Sequence, residues 1–254
     1  HADTISREQN FVFAARTKNL EPFLSFFYPN IKGLSNSFIE NGRVNTLTNS
    51  IGFNGEIPYV KLNGVEYKKI SLRAASQNNL LRDSISAAEI DLNDSLQLMN
   101  PFFSASIQHN EADFVLSVSE KNLLNEISLS GHVVATDDSL TFSLNKNKMQ
   151  LNNREWTLEK NNSIVYGKNK LTVHNFNLTQ GEQQLLINSI PSSTADVRCQ
   201  FTNLHVEDFY HFIRLYGYDA SGQLTGTVDV KNIFSNLFFI ANATITNFYF
   251  NHDH

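Results

Sequence analysis

The side chains that do chemistry are scattered in this chain of 254 residues. His205 and His211 lie six apart, which puts them on different faces of a helix and suits no shared ligand. His252 and His254 flank Asp253, a spacing that can grip a metal ion but is read here as a chain end. Asp137-Asp138 reads as a turn, and Glu207-Asp208 as the first turn of a helix, where carboxylates suit the local dipole. Cys199, the sole cysteine, alternates with Val197 and Phe201 and reads as a small buried hydrophobe. The chain holds no H-E-x-x-H, C-x-x-C, G-x-S-x-G, phosphate-binding loop or G-x-G-x-x-G. The expectation is a protein with no enzymatic activity, no metal and no cofactor, although an all-β hydrolase with carboxylates far apart in sequence stays open.

The elements that would carry any site are strands. Ile57/Tyr59, Val65/Tyr67, Ile70/Leu72, Ile90/Leu92, Leu96/Leu98, Phe114/Leu116/Val118, Ile127/Leu129 and Leu140/Phe142/Leu144 each sit two apart. So do Trp156/Leu158, Ile164/Tyr166, Leu171/Val173, Phe176/Leu178, Leu185/Ile187 and Val228/Val230. Asn63-Gly64, Asn93-Asp94, Asp137-Asp138, Asn152-Asn153, Asn161-Asn162 and Gly181 punctuate them. Such short strands, spaced by roughly 8 to 14 residues, read as an antiparallel meander rather than βαβ units. Leu80–Ala88 is left open between a helical turn and a loop.

Two short amphipathic helices interrupt the pattern. Asn19-Leu20-Glu21-Pro22 opens one, with Phe23, Leu24, Phe26, Phe27 and Tyr28 as its apolar face and Pro29 and Gly33 as its stop. Asn203 would cap the other, with Leu204, Phe209, Phe212, Ile213 and Tyr216 at helical spacing and Gly217 at its end. The shared order of cap, helix and glycine suggests a weak internal repeat, hence a division into 1–80, 81–202 and 203–254 as continuous segments.

Charged residues make up 18% of the chain, against roughly 25% in ordinary domains. A net charge of −5, with Lys and Arg scattered, argues against nucleic acid as a partner. The longest apolar run, Leu237–Ala241, cannot span a bilayer, so the chain reads either as a cytosolic protein or as an excised piece of something larger, and its start and stop in mid-pattern favour the second. One face of nearly every strand is apolar, and two small helices cannot cover so many strands, so the sheet must curl upon itself.

The stretch from Leu140 to Val230 resembles the C-terminal region of TamB-like proteins, the translocation and assembly module subunits of the AsmA-like superfamily, in their Bacteroidetes versions. The resemblance rests on Trp156-Thr157-Leu158, on LTVHNFNLTQGEQQLLINSI, and on VEDFYHFIRLYGYDASGQLTGTVDV with its G-x-L-x-G strand. Asn188-Ser189 departs from it, standing where the family has a glycine. The resemblance implies an elongated, U-shaped β-sheet with an apolar groove, inner-membrane anchored when full length and lying in the periplasm. It implies movement of phospholipid between the inner and outer membranes and support of outer-membrane protein assembly with an Omp85-type, TamA-like partner. The groove lining would then be Leu116, Val118, Ile127, Leu129, Leu140, Phe142, Leu144, Trp156, Leu158, Ile164, Tyr166, Leu171, Val173, Leu185 and Ile187, against phospholipid acyl chains. Asp83-Ser84-Ile85, Asp94-Ser95-Leu96 and Asp138-Ser139-Leu140 match an O-glycosylation signal of Bacteroidetes envelope proteins and are also ordinary turn pairs. A β-sandwich or adhesin-like binding module is the alternative, and a β-helical polysaccharide-active enzyme a distant third.

Overall fold

The computed structural model describes residues 8–93, 96–120, 126–209 and 218–252, and the chain divides into two compact units, His1–Lys121 and Asn122–His254. The first unit runs β1 (Asn10–Arg16), helix α1 (Glu21–Phe27), β2 (Ile31–Gly33), β3 (Phe38–Asn45), β4 (Ser50–Leu62), β5 (Val65–Gln77), β6 (Leu80–Ser86), β7 (Glu89–Asn93), β8 (Leu96–Gln108) and β9 (Glu111–Glu120). The second opens with β10 (Glu126–Ala135), β11 (Ser139–Leu144), β12 (Asn147–Leu151), β13 (Arg154–Leu158), β14 (Ser163–Gly167) and β15 (Lys170–His174). It continues with β16 (Phe176–Gln180), β17 (Gln183–Ser189), β18 (Val197–His205), β19 (Tyr218–Lys231) and β20 (Phe238–His252). The seams expected at 80/81 and 202/203 fall inside these units, the first within β6, the hairpin partner of β5, and the second within β18.

The fold is all-β and antiparallel, and each pair of alternating apolar residues read from the sequence lies in one strand. Two-residue connections at Asn63-Gly64, Asn78-Asn79, Asn152-Asn153 and Lys168-Asn169 join consecutive strands. At these tips the strand twist demands positive φ, which asparagine tolerates better than other side-chain-bearing residues. Among the described residues, fifteen of the nineteen non-glycine positions with positive φ are asparagine, so the chain uses Asn where others use Gly. Asn79, exposed at φ 62°, gives a direct check. Asn79→Ala should destabilise the first unit by about 1 kcal/mol and Asn79→Gly should leave it unchanged or firmer, read from thermal unfolding.

A line of strand breaks also crosses each unit. β2 and β3 both pair with β4, and β6 and β7 both pair with β5 and β8, so each couple is one long strand interrupted in the middle. The interruptions are neighbours: Leu34 N–H donates to Tyr59 O, Ala88 N–H to Lys68 O, and Asn100 N–H to Ala88 O. In the second unit β11 and β12 share β10 in the same way, and Asn side chains bridge the gaps. Asn162 Oδ1 accepts Leu144 N–H at 2.8 Å, its Nδ2 donates to Leu144 O at 3.0 Å, and Asn188 Oδ1 accepts Asn175 N–H at 2.6 Å. Bulges of this kind bend strands, so a shared row of them creases a sheet instead of kinking one strand.

Helix α1 forms where expected: Asn19 Oδ1 accepts Glu21 N–H at 3.0 Å, Pro22 lies in the first turn, and Leu24 alone is buried. Two expectations are corrected. Leu80–Ser86 is strand β6, held on both sides by β5 and β8, where neither a helical turn nor a loop would satisfy its backbone. The second helix does not start at Asn203, which sits in β18 at φ 47° and makes a bulge against β19. Leu204 and His205 remain strand, paired with Leu224 and Gln223, and a 3-10 turn over Val206–Phe209 follows. Phe212, Ile213, Tyr216, Gly217 and His211 lie outside the described residues, as do Asp94-Ser95 and Asp253-His254. The repeat therefore has no described second helix to match α1.

Candidate functional site: an apolar sheet face

Residues paired directly across an antiparallel ladder point to the same side, so register traces a face without appeal to shape. In the first unit Gly55, Leu72, Ile85, Phe103 and Leu116 are consecutive partners across β4, β5, β6, β8 and β9. Ile85 and Leu116 on this ladder remain exposed.

In the second unit the face runs through three regions. At one side Val133, Phe142, Ile164 and Val173 are consecutive partners, as are Ala135, Leu140, Tyr166 and Leu171. Leu140 and Tyr166 are exposed there, Phe142, Ile164 and Leu171 are half-buried, and Val173 is buried. The middle is a closed core of Met149, Leu151, Trp156, Leu158, Leu178 and Leu204, with Ile127, Leu129, Leu144 and Leu185 packed on it. From Leu158 the face passes to Leu178, Leu185 and Phe201, and from Phe176 to Ile187, Cys199 and Val228. The far side is β19 and β20, where Leu224, Val228 and Val230 face Ile245, Ala241 and Phe239. Ile245 is 41% and Phe239 63% exposed, and Phe248 and Phe250 stack with ring centres 6.2 Å apart.

Of the residues expected to line a groove, Leu116 and Val118 belong to the first unit and the other thirteen to the second. The structure brings those thirteen to one face but not to one exposure. Trp156 and Leu158 have no exposed surface at all; they are sealed among side chains and cannot line an open trough. Sequence reasoning missed Met149 and Leu151, whose alternation about Gln150 was legible, and Leu204, hidden by its helical spacing. It also missed the β20 face, because Phe238 and Ile240 on the other side mask the two-residue period.

One end of the closed core turns polar. Arg154, two residues from Trp156, donates Nη1 to Asp208 Oδ2 at 3.0 Å and lies 2.9 Å from His205 Nδ1. Gln183 Nε2 donates to the same Asp208 oxygen at 2.9 Å, and Gln183 Oε1 accepts His205 N–H at 2.6 Å. Since the guanidinium only donates, His205 Nδ1 is the acceptor in this contact. The Asp208 side chain is fully buried and its charge is held by Arg154, so this knot fixes the 3-10 turn against the core and offers no free nucleophile. Among the described residues no group of three or more His, Cys, Asp or Glu could hold a metal ion. No helix among them is long and apolar enough to cross a membrane.

The back of the sheet at β18 and β19 is ionic. Arg198 donates Nε and Nη2 to the two Asp229 oxygens at 2.6 and 2.8 Å, and Asp196 accepts Asn232 N–H at 2.9 Å and Lys231 Nζ at 3.2 Å. The Arg198 hydrogen bond holds the Asp229 carboxyl below its ordinary range, and the Asn232 N–H followed by Lys231 does the same for Asp196. A carboxyl depressed by folding stabilises above its unfolded pKa, about 3.9, and loses that contribution as pH falls through its folded value. The melting temperature of the second unit should therefore fall as pH drops below about 4, and less steeply in Asp229→Asn, as followed by Trp156 emission. Burial, then Asp229, raises the pKa of half-buried Cys199, which suits its expected role as packing.

No known protein family, curated protein or solved structure matches the chain.

Proposed function

We propose that this chain is part of a TamB-like, AsmA-type envelope protein of the periplasm, and that its apolar sheet face carries phospholipid acyl chains. One observation carries the reading: within each unit an apolar face is continuous in register from strand to strand, yet it stays exposed at Ile85 and Leu116 in the first unit and along β20 in the second. A soluble sandwich seals such a face along its length. Here the packed core lies in the middle of the second unit, and exposed apolar side chains remain to either side of it, at Leu140 and Tyr166 and along β20. Each acyl methylene covered by an exposed apolar row contributes about 0.8 kcal/mol, and a row of similar side chains offers no single deep well, which suits movement along it. The asparagine-bridged breaks of the second unit support a curl in its sheet, the form that shields an acyl chain without closing over it. Transport between inner and outer membranes, an inner-membrane anchor and an Omp85-type partner belong to this proposal through the resemblance of Leu140–Val230.

The test is mass spectrometry of an organic extract of the purified chain, with photo-crosslinkers at Phe239, Ile245 and Leu116. Co-purifying phospholipid and lipid adducts at these positions, with none at Trp156, are the expected results. A lipid-free extract and no adduct at any position would leave the adhesin-like module as the better reading.

A further inference from the structure

We propose that helix α1 and the lysines beside it form a tip that docks on the surface of an anionic phospholipid bilayer. The helix turns the usual arrangement outward: Leu24 is its sole buried residue, while Phe23, Phe26, Phe27 and Tyr28 are 56 to 80% exposed. The Phe27 ring centre lies 4.8 Å from those of both Phe23 and Phe26, so the three rings form one cluster already assembled in water. The base of the tip is fixed. Glu21 Oε2 accepts Gly33 N–H at 2.6 Å, which engages the only carboxylate of the helix, and a Cβ added at Gly33 would lie 2.8 Å from both the ring carbon Cδ1 and the carbonyl oxygen of Tyr59. Lys18 and Lys32 flank the helix, are exposed, and take part in no ion pair among the described residues.

Size and charge select the occupant. Four aromatic side chains at these exposures offer on the order of 500 Å², short of the roughly 800 Å² per partner of a specific protein interface. A bilayer sets no such threshold and needs no matching shape, because aromatic rings enter the headgroup boundary wherever they are presented. The two unpaired lysines match an anionic surface, which attracts each within about a Debye length. The net charge of −5 opposes such attraction for the chain as a whole, so the local pair must act together with the rings.

The experiment is co-sedimentation of the whole chain with vesicles of phosphatidylcholine and phosphatidylglycerol, and with vesicles of phosphatidylcholine alone. Three forms are compared: the parent, the triple variant Phe23→Ser, Phe26→Ser, Phe27→Ser, and the double variant Lys18→Gln, Lys32→Gln. Leu24 is kept, and circular dichroism with Trp156 emission reports folding. The triple variant should bind the anionic vesicles about tenfold less or weaker still. The double variant should bind them about fivefold less or weaker still and bind neutral vesicles unchanged. A parent that stays in the supernatant, or variants that sediment as the parent does, would overturn the proposal. So would self-association of the parent on gel filtration that the triple variant abolishes, since the cluster would then serve a second copy. No residue proposed to hold acyl chains is altered, so this result and the extraction result stand apart; should the triple variant misfold, the lysine variant decides alone.

Discussion

Leu158→Ala should cost the second unit about 2–5 kcal/mol, the range for a leucine cut to alanine in a core that cannot collapse around the gap. Leu158 has no exposed surface and lies opposite Leu178 on one side and Asn147 on the other. Its neighbour two residues back, Trp156, is equally sealed and faces Met149. Strands β12, β13 and β16 meet here, each held by backbone bonds on both sides, so the sheet cannot close over a void without breaking register. Trp156 is the sole tryptophan, which makes its emission a private reporter of this core. The urea midpoint should fall by about 1 M or more, whereas Thr157→Ala, on the opposite face of the same strand, should move it by well under half as much. Equal shifts in the two variants would show that the closed core is not where the unit keeps its stability.

Ile245→Glu combined with Phe248→Glu should lower the lipid that co-purifies with the chain by about tenfold or more. Each side chain is about half exposed in the free protein, so covering it with an acyl chain contributes on the order of 1 kcal/mol. A carboxylate in its place must be desolvated or must hold the lipid away. Two such losses exceed the roughly 1.4 kcal/mol that corresponds to a tenfold change. Folding should be little affected, since exposed substitutions usually stay within about 0.5 kcal/mol, and circular dichroism checks this. Equal lipid in parent and variant would remove β20 from the acyl path.

The strands were legible because a period of two survives wherever one face is buried: Phe142 and Leu144, or Leu185 and Ile187, need only their neighbours in sequence to declare themselves. Helix α1 was legible through Asn19 and Pro22. The start of the second helix misled because the bulge at Asn203 shifts the alternation by one residue, so Leu204 drops out of the two-residue period although it is strand and buried. Leu80–Ser86 was obscured by Arg82, Asp83 and Ser84, polar residues on a strand whose pairing comes from β5 and β8. For the candidate site, the sequence tells which side of each strand is apolar. It does not tell that Trp156 is sealed while Phe239 is bare, because exposure depends on which distant strands pack on each residue.

Most strands in each unit join partners a few residues or one hairpin away, through tips only two residues long. A molecule assembled so locally has a length that is free to evolve. Inserting or deleting one hairpin changes the reach by two strand spacings, about 9.6 Å, and leaves the pairing on either side intact. The extent of each unit's sheet is then counted in hairpins, and lengthening or shortening it requires no new fold.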